Sequence, residues 1–197
     1  DWAFDMLSVE DVSVTIGRSQ LLSGISFAAR AGQVTAIIGP NGSGKTTLLR
    51  ALTGELRYQG RVLLNDHDIA HTRPRKLAAF RAVLAQDTQV AFPFTAEEIV
   101  RLGLETGAGA ADQGLPARLL AEVDLPGHGP RPYHQLSGGE QARVQLARVL
   151  AQARKPVTEH GPTWLFLDEP VASLDIAHQL LVMRLARRFA DEGGGVV

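Results

Sequence analysis

Apolar and polar positions alternate with a period of two in the first part of the chain and follow a helical period in much of the rest. Residues 7–16 partly alternate, which predicts an edge or antiparallel strand. Residues 34–38 are a continuous, mostly β-branched apolar run, which predicts a buried parallel strand. Before Gln86 the sequence predicts strands at 7–16, 34–38, 61–65 and 82–85, and a further strand between the first two that ends at Phe27. It also predicts a helix at 46–52 that ends at Gly54.

After Gln86 the pattern becomes mainly helical. Residues 95–98 (Thr-Ala-Glu-Glu) fit a helix capping box, and Phe94 and Ile99 are placed to form a hydrophobic staple. The elements predicted here are a helix after Thr95, a loop at 103–116, helices at 118–123, 139–153 and 175–190, a Pro/Gly linker at 126–132, a strand at 164–167 and the opening of a strand at 193–197. We therefore expect an α/β fold in which a helical subdomain, 87–136, is inserted into a core formed by 1–86 and 137–197.

Composition excludes several classes of protein. Lys and Arg number 20 against 21 Asp and Glu, a net charge of −1 that argues against a general nucleic-acid binder. The absence of cysteine excludes a disulfide scaffold, a Cys-ligated zinc site and a thiol nucleophile. The longest apolar runs are too short to cross a bilayer. No secretory signal is visible, so a cytoplasmic location is expected.

The first chemical motif lies between the apolar run 34–38 and the helix 46–52. It fits the P-loop pattern G-x-x-x-x-G-K-[ST] without a mismatch. Glycines allow backbone N–H groups to approach phosphate oxygens, Lys45 supplies a charge for the β- and γ-phosphates, and Thr46 offers a hydroxyl to Mg²⁺. The predicted phosphate-binding residues are Gly39, Pro40, Asn41, Gly42, Ser43, Gly44, Lys45, Thr46 and Thr47.

The second motif is an acidic pair at the carboxyl end of the apolar strand 164–167, where open α/β sheets bind their ligands. We expect Asp168 to hold Mg²⁺ through water and Glu169 to orient and polarise the attacking water. A solvated acidic turn is the alternative, and the P-loop in the same chain argues against it.

The third motif is Leu136-Ser137-Gly138-Gly139-Glu140. Ser137 and Glu140 also form an N-cap and its capping-box partner, and that structural reading stays open for the motif alone. Consecutive glycines at a helix start equally make an anion site of bare N–H groups. The three motifs, in this order and with a helical region between the first and second, resemble the ATP-binding cassette (ABC) ATPases over nearly the whole chain.

The resemblance implies a P-loop NTPase (RecA-like) fold, a mostly parallel sheet with an N-terminal antiparallel β part, and ATP and Mg²⁺ as ligands. Gln86 then matches the Q-loop glutamine, which contacts Mg²⁺ and links the helical subdomain to catalysis. Asp175, in Ser-Leu-Asp, matches the D-loop at the dimer interface. Ser137, Gly138 and Gly139 would close over ATP held by the P-loop of a second copy, in a head-to-tail dimer that sandwiches two ATP.

Two departures from the family pattern affect these expectations. Ile16 occupies the place where the family usually has an aromatic residue that stacks on adenine. The family's switch histidine, which follows the last strand, is absent because the sequence ends at Val197. We expect a truncated C-terminus, and therefore weak or no hydrolysis by this fragment even where ATP binds.

A second and softer resemblance concerns cargo. Residues 138–152, the polar insertion 154–163 and residues 174–179 are similar to ATPase subunits of bacterial heme importers. This implies a peripheral subunit at the cytoplasmic face of the inner membrane, bound to transmembrane permease subunits. A heme-loaded periplasmic binding protein would be an indirect partner. Importers of ferric siderophores and cobalamin have closely similar ATPases, so they stay open as alternatives; no residue here reads the cargo chemically.

More distant alternatives are a soluble ABC ATPase acting on DNA or ribosomes, which usually has two cassettes or a coiled-coil insertion, and a P-loop kinase or GTPase. A GTPase would usually carry an Asn-Lys-x-Asp string that binds guanine, and no such string occurs in the sequence.

The six histidines lack metal-ligand spacing and are expected at the surface. Arg73, Arg75 and Lys76 are expected to form a solvated face. Residues 92–94 (Phe-Pro-Phe) could contact a permease or anchor the helical subdomain.

Overall fold

The computed structural model describes residues 6–86, 90, 92–106 and 112–197, and its N-terminal layer is an antiparallel sheet. The strands lie in the order β2-β1-β3-β4, with bounds β1 Met6–Ile16, β2 Ser19–Arg30, β3 Gln59–Leu64 and β4 His67–Asp68. Leu7, Val9, Val12 and Val14 of β1 are buried. The pairing with β2 shifts between Val9 and Val12, which explains why the alternation of β1 in the sequence is only partial.

The second layer is a parallel sheet in the order β5-β8-β9, with bounds β5 Arg81–Leu84, β8 Trp164–Leu167 and β9 Gly195–Val196. The predicted strand at 34–38 is mostly wrong. Only Val34 forms a bridge, to Val196, and the Thr35 N–H donates to the Val196 carbonyl at 2.8 Å. Residues 35–38 form no strand, and Ile38 is 92% exposed.

Strand β8 separates two hydrophobic cores. Trp164 and Phe166 enter the core beneath the antiparallel sheet, whereas Leu165 enters the core formed with the long helices. Successive side chains of a strand point to opposite faces, so a strand buried on both faces must be apolar throughout. The apolar run that predicted this strand therefore also determines its central place.

Six helices complete the described residues, with bounds α1 Lys45–Leu52, α2 Pro74–Leu77, α3 Ala96–Thr106, α4 Leu115–Glu122, α5 Gly138–Gln152 and α6 Ile176–Asp191. The loop predicted at 103–116 is shorter than expected, because α3 and α4 extend into both of its ends. Pro116 lies in the first turn of α4, where its missing N–H costs no helical hydrogen bond. Residues 107–111 of that loop, and residue 87 at the predicted subdomain boundary, lie outside the described residues.

Helices α3, α4 and α5 pack against one another in the helical part of the structure. The predicted capping box is confirmed, because the Thr95 N–H donates to the Glu98 carboxylate at 2.7 Å and the Glu98 N–H donates to Thr95 Oγ1 at 3.3 Å. Helix α3 approaches α5 so closely that a Cβ on Gly103 would lie 2.1 Å from the Arg148 carbonyl oxygen. Only glycine permits this contact between backbones.

The polar insertion 154–163 contains a hairpin that the sequence did not predict, formed by β6 Val157–Thr158 and β7 Gly161–Pro162. Asn65 joins this hairpin to both sheets. Its side-chain N–H donates to the Pro162 carbonyl at 2.8 Å, and its Oδ1 accepts from the Trp164 indole N–H at 2.9 Å. Asn65 is 2% exposed and has a left-handed φ of 48°, a conformation that asparagine tolerates better than most residues.

Within the described ranges, no helix combines the length and the apolar character that a membrane span requires.

Replacing Asn65 by alanine should lower the free energy of unfolding by roughly 2–5 kcal/mol, because the substitution leaves two buried partners without their hydrogen bonds. Asp66→Ala is the matched control, since Asp66 is exposed and also has a positive φ, 61°. It should cost only about 1 kcal/mol. Urea denaturation measures both, and equal losses would show that backbone conformation, not the two bonds, accounts for the effect.

Candidate functional site

The glycine-rich turn between Val34 and α1 has the backbone geometry that its sequence demands. Gly42 and Gly44 have left-handed φ angles of 79° and 96°, which side chains with a Cβ rarely adopt. A Cβ on Gly44 would also lie 2.8 Å from Leu22 Cδ2. Gly44 is the N-cap of α1, so the turn delivers the chain directly into a helix start, where unpaired N–H groups and the helix dipole favour an anion.

Lys45 is folded over the turn that precedes it. Its ammonium donates to the Gly39 carbonyl at 2.8 Å and to the Pro40 carbonyl at 3.0 Å. An ammonium carries three hydrogens, so one remains for a phosphate oxygen. The two bonds fix the position of the charge beside the N–H groups of the turn.

Four predicted site residues from distant parts of the chain meet in two side-chain hydrogen bonds. The Thr46 hydroxyl donates to Asp168 Oδ1 at 3.2 Å, across 122 residues of sequence. The Gln86 amide donates to Glu169 Oε2 at 3.1 Å, across 83 residues. The second contact arises because β5 and β8 are parallel neighbours, so the residues that follow them emerge at the same edge of the sheet.

Glu169 is held in a backbone conformation that glutamate seldom adopts, with φ at 45°. Left-handed backbone at a residue of this size costs on the order of 1–3 kcal/mol and persists only where its surroundings enforce it. Here the buried strand β8 precedes it and Pro170 follows it. The strained turn directs the carboxylate toward Gln86, in the cavity described next.

An open cavity of about 450 Å³ lies over the P-loop. It is lined by Leu21, Asn41, Gly42, Gly44, Lys45, Thr46, Thr47, Gln86 and Glu169. Leu21, an aliphatic side chain that is 43% exposed, was not predicted from the sequence. Ile16, which was expected to stand in for an adenine-stacking aromatic, is 53% exposed at the end of β1 and is not among the described residues that line the cavity. Leu21 therefore adds an aliphatic side chain to a mainly polar lining.

The oxygen atoms in and beside this cavity are suitable ligands for Mg²⁺. The ion prefers hard oxygen ligands and usually combines one or two carboxylates with water and substrate phosphates. Thr46 and Asp168 supply a hydroxyl and a carboxylate that already touch each other, and Gln86 supplies an amide oxygen. The described residues contain no cluster of three or more His, Cys, Asp or Glu side chains suited to a metal, so an all-protein metal cage is not available in them.

The Ser137–Glu140 segment forms both halves of a capping box at the start of α5. The Ser137 N–H donates to Glu140 Oε2 at 2.8 Å, and the Glu140 N–H donates to Ser137 Oγ at 3.2 Å. The structural reading of this motif is thus correct. It leaves the N–H groups of Gly138 and Gly139 without helical partners, so capping and anion binding are compatible.

The tip of α5, defined as Ser137, Gly138 and Gly139, lies apart from the P-loop cavity. Gly138 lines a second cavity of about 320 Å³ together with Gln86, Asp168 and Glu169. Among the described residues lining the P-loop cavity, none belongs to the tip. Ser137 and Gly138 are exposed, and a Cβ on Gly139 would lie 3.4 Å from the Ser173 carbonyl oxygen. The tip is therefore accessible from outside.

Asp175 is the N-cap of α6, and its carboxylate accepts from the His178 N–H at 2.9 Å. The His178 ring joins Asp175 to Asp124, with Nδ1 2.9 Å from Asp175 Oδ2 and Nε2 3.1 Å from Asp124 Oδ2. The hydrogen bonds from His178 lower the pKa of Asp175. The sequence predicts only a surface position for His178, because Asp124 lies 54 positions away and no spacing rule connects the two residues.

Two further surface expectations can be compared with the structure. Arg73, Arg75 and Lys76 are exposed, as expected of a solvated face. Phe92 and Phe94 meet edge to face with ring centroids 5.9 Å apart. Phe94 packs against the core, whereas Phe92 is 69% exposed, so one ring anchors the helical part and the other is open to contact.

Comparisons with known proteins agree with this geometry. The sequence profile of the family described as ABC transporter matches residues 22–172. The hemin import ATP-binding protein HmuV of Mesorhizobium japonicum is 55% identical over 196 residues, 98% of this chain and 74% of that protein. The protein of the same name from Roseobacter denitrificans is 56% identical over 191 residues, 97% of this chain and 73% of that protein.

Among solved structures, a bacterial Atm1-family ABC exporter with ATP bound aligns with a TM-score of 0.82 and 25% identity, over 100% of this chain and 35% of that chain. An ATP-binding subunit of an ABC transporter aligns with a TM-score of 0.82 over 97% of this chain and 77% of that chain; at 21% identity it shows likeness of fold alone. The predicted α/β P-loop NTPase fold is confirmed.

The capping box at the tip should make stability depend on pH. The hydrogen bond from the Ser137 backbone, followed by the Ser137 hydroxyl and the charges of His128 and Arg131, lowers the pKa of Glu140 below its ordinary 4.5. The ionised carboxylate therefore stabilises the folded state above pH 4.5, and this contribution is lost as the pH falls through the lower folded pKa. Urea denaturation should find wild type more stable than Glu140→Gln at pH 7, with the difference vanishing in acid. A difference that did not change with pH would contradict this account.

Proposed function

This chain belongs to the ABC transporter family and is an ATP-hydrolysing subunit of that family, and from this premise we propose that its transporter imports hemin. Two relatives more than half identical over nearly the whole chain are named hemin import ATP-binding proteins. Because the ATP-binding subunit holds no cargo, the proposal for hemin depends on that likeness. ATPases of ferric-siderophore or cobalamin importers are the alternative.

The catalytic proposal rests on one cavity, whose lining includes Lys45, Thr46, Gln86 and Glu169. Asp168 lies beside it, hydrogen-bonded to Thr46. We propose that Lys45 and the N–H groups of the P-loop hold the β- and γ-phosphates. Thr46, Asp168 and Gln86 would hold Mg²⁺, which when bound neutralises charge that develops on the phosphate oxygens.

Glu169 is the residue proposed to orient the attacking water. Its carboxylate lines the P-loop cavity and already accepts a hydrogen bond from the Gln86 amide. An acceptor oxygen at the edge of the cavity can hold one hydrogen of a water molecule and direct its lone pair toward the γ-phosphate. Positioning of this kind supplies most of the protein's contribution to phosphoryl transfer.

The second copy completes the proposed site. The tip of α5 is exposed and lies outside the P-loop cavity of its own chain, so it supports an arrangement in which it closes over the γ-phosphate bound by a partner. The Gly138 and Gly139 N–H groups would donate to that phosphate, and the Ser137 hydroxyl would turn from the Glu140 carboxylate to donate to it as well. Asp175 would lie along the same dimer interface, at the start of α6.

We further propose that the subunit binds transmembrane permease subunits at the cytoplasmic face of the bacterial inner membrane. The exposed ring of Phe92, beside the residues that follow Gln86, is a suitable apolar contact for a permease. Residues 87–136 would act as the helical subdomain that transmits this contact, with 1–86 and 137–197 as the nucleotide-binding core. A heme-loaded periplasmic binding protein would act indirectly, through the permease.

Replacing Glu169 by glutamine should abolish turnover and trap an ATP-bound dimer. The amide is nearly the same size but removes the negative charge that polarises water, so phosphate release should fall at least about a hundredfold. Sedimentation with Mg-ATP should detect a stable dimer. Glu159→Gln, in the exposed β6–β7 hairpin, is the control and should behave as wild type. Normal turnover by Glu169→Gln would remove the role assigned to this carboxylate.

The cargo is tested in the assembled transporter. The subunit is reconstituted in vesicles with the permease that co-purifies with it, and ATP hydrolysis is measured with soluble binding proteins loaded with hemin, a ferric siderophore or cobalamin. Hemin-loaded protein should stimulate hydrolysis several-fold and the other two should not. Stimulation by siderophore or cobalamin instead would assign the alternative cargo and contradict the proposal for hemin.

A further inference from the structure

One face of α5 carries a row of hydrogen-bonding side chains in an otherwise apolar environment. Gln141, Gln145 and Arg148 follow one another at helical spacing. Gln145 is only 4% exposed. A buried amide is costly unless its donor and acceptor are both paired, so the partners of these residues indicate why the row is polar.

Both ends of the Gln145 amide are paired. Its Nε2 donates to the Tyr133 hydroxyl oxygen at 3.1 Å, and its Oε1 accepts from Arg148 Nε at 2.7 Å. Tyr133 lies four residues before the tip of α5 and lines the second cavity with Gln86 and Glu169. Gln145 thus connects a residue beside the tip to a cation deeper in the fold.

Gln141, one turn earlier, holds the main chain that leads to the tip. Its amide donates to the Tyr133 carbonyl at 3.1 Å and to the Leu136 carbonyl at 3.3 Å. The Tyr133 N–H in turn donates to the Phe94 carbonyl at 2.8 Å. Tyr133 is therefore fixed through its backbone by Gln141 and Phe94, and through its hydroxyl by Gln145.

Arg148 continues the row into the parallel sheet. Its Nη2 lies 3.5 Å from the Val83 carbonyl oxygen of β5, the strand that leads to Gln86. Burial lowers the pKa of Arg148, which reflects its location between α5 and this sheet. The polar path then runs from β5 through Arg148 and Gln145 to Tyr133.

We propose that Gln145 is a positioning residue that fixes the tip of α5 relative to Gln86. Gln145 is not among the described residues that line the P-loop cavity, although it lines the second cavity. It acts through Tyr133 on one side and Arg148 on the other. This inference rests on the proposed function, because the position of the tip matters to the reaction only where the tip closes over ATP on a second copy. Loss of the amide should weaken closure without weakening nucleotide binding by the P-loop.

The test uses the Glu169→Gln protein, in which the ATP-bound dimer should persist. Adding Gln145→Leu should raise the Mg-ATP concentration for half-maximal dimerisation by roughly three- to tenfold, the effect of losing one or two net hydrogen bonds. Binding of a fluorescent ATP analogue to the monomer should not change. Gln145→Glu should restore dimerisation, because its carboxylate can accept from both Arg148 and the Tyr133 hydroxyl. Tyr133→Phe should raise the dimerisation midpoint alone but add nothing to Gln145→Leu.

Gln152→Leu is the matched control. Gln152 lies on the same helix, and its amide also donates to two backbone carbonyls, those of Ala78 and Arg81. Its loss should lower the denaturation midpoint of the protein but leave dimerisation unchanged. An equal shift in the dimerisation midpoint for Gln145→Leu and Gln152→Leu would overturn the proposal, since general loss of helix stability would then explain both.

Amide hydrogen exchange on the nucleotide-free protein separates this inference from the proposed function. Gln145→Leu, and not Gln152→Leu, should speed exchange at residues 133–141 and at 84–86. If exchange changes as expected but the Glu169→Gln parent never dimerises with Mg-ATP, the ATP-sandwich proposal fails and the positioning path stands. If exchange at these residues is unchanged, Gln145 does not position the tip.

Discussion

The site depends on burial of β8 on both of its faces. Trp164 and Phe166 pack in one core and Leu165 in the other, so this strand joins the antiparallel sheet to the long helices. A strand of four apolar residues anchored in this way has little freedom, and its carboxyl end is fixed with it. The two hydrophobic cores therefore fix the position of Asp168 and Glu169, the acidic pair at that end.

The chemistry is built outward from that fixed point. Parallel pairing of β5 with β8 brings Gln86 to Glu169, and the P-loop turn brings Thr46 to Asp168. Each of these polar side chains is already fixed by a hydrogen bond to another, so few side chains remain to be ordered when a ligand binds. The backbone at Glu169 is strained, and this strain occurs where the reaction is proposed to take place.

Motifs and long periodic segments could be predicted from the sequence, because their causes are local. A few neighbouring residues are enough to determine the P-loop turn, the capping boxes at Thr95 and Ser137, and the apolar strand 164–167. The strand prediction at 34–38 is mostly wrong for a nonlocal reason: an apolar run becomes a strand only where a neighbour pairs with it, and among the described residues that pairing is limited to Val34 and Thr35. Leu21, Asn65 and the contacts of His178 were missed for the same reason, since their partners are remote in sequence and carry no periodic signal.

The close approach of Gly103 to the Arg148 carbonyl affects how the helical part can move. Where two helices touch through side chains, a change of rotamers allows them to slide past each other. Helices α3 and α5 touch backbone to backbone, and no such adjustment exists for a peptide group. Sliding of α3 past α5 would have to break this backbone contact, so the two helices should move together in any motion of this region.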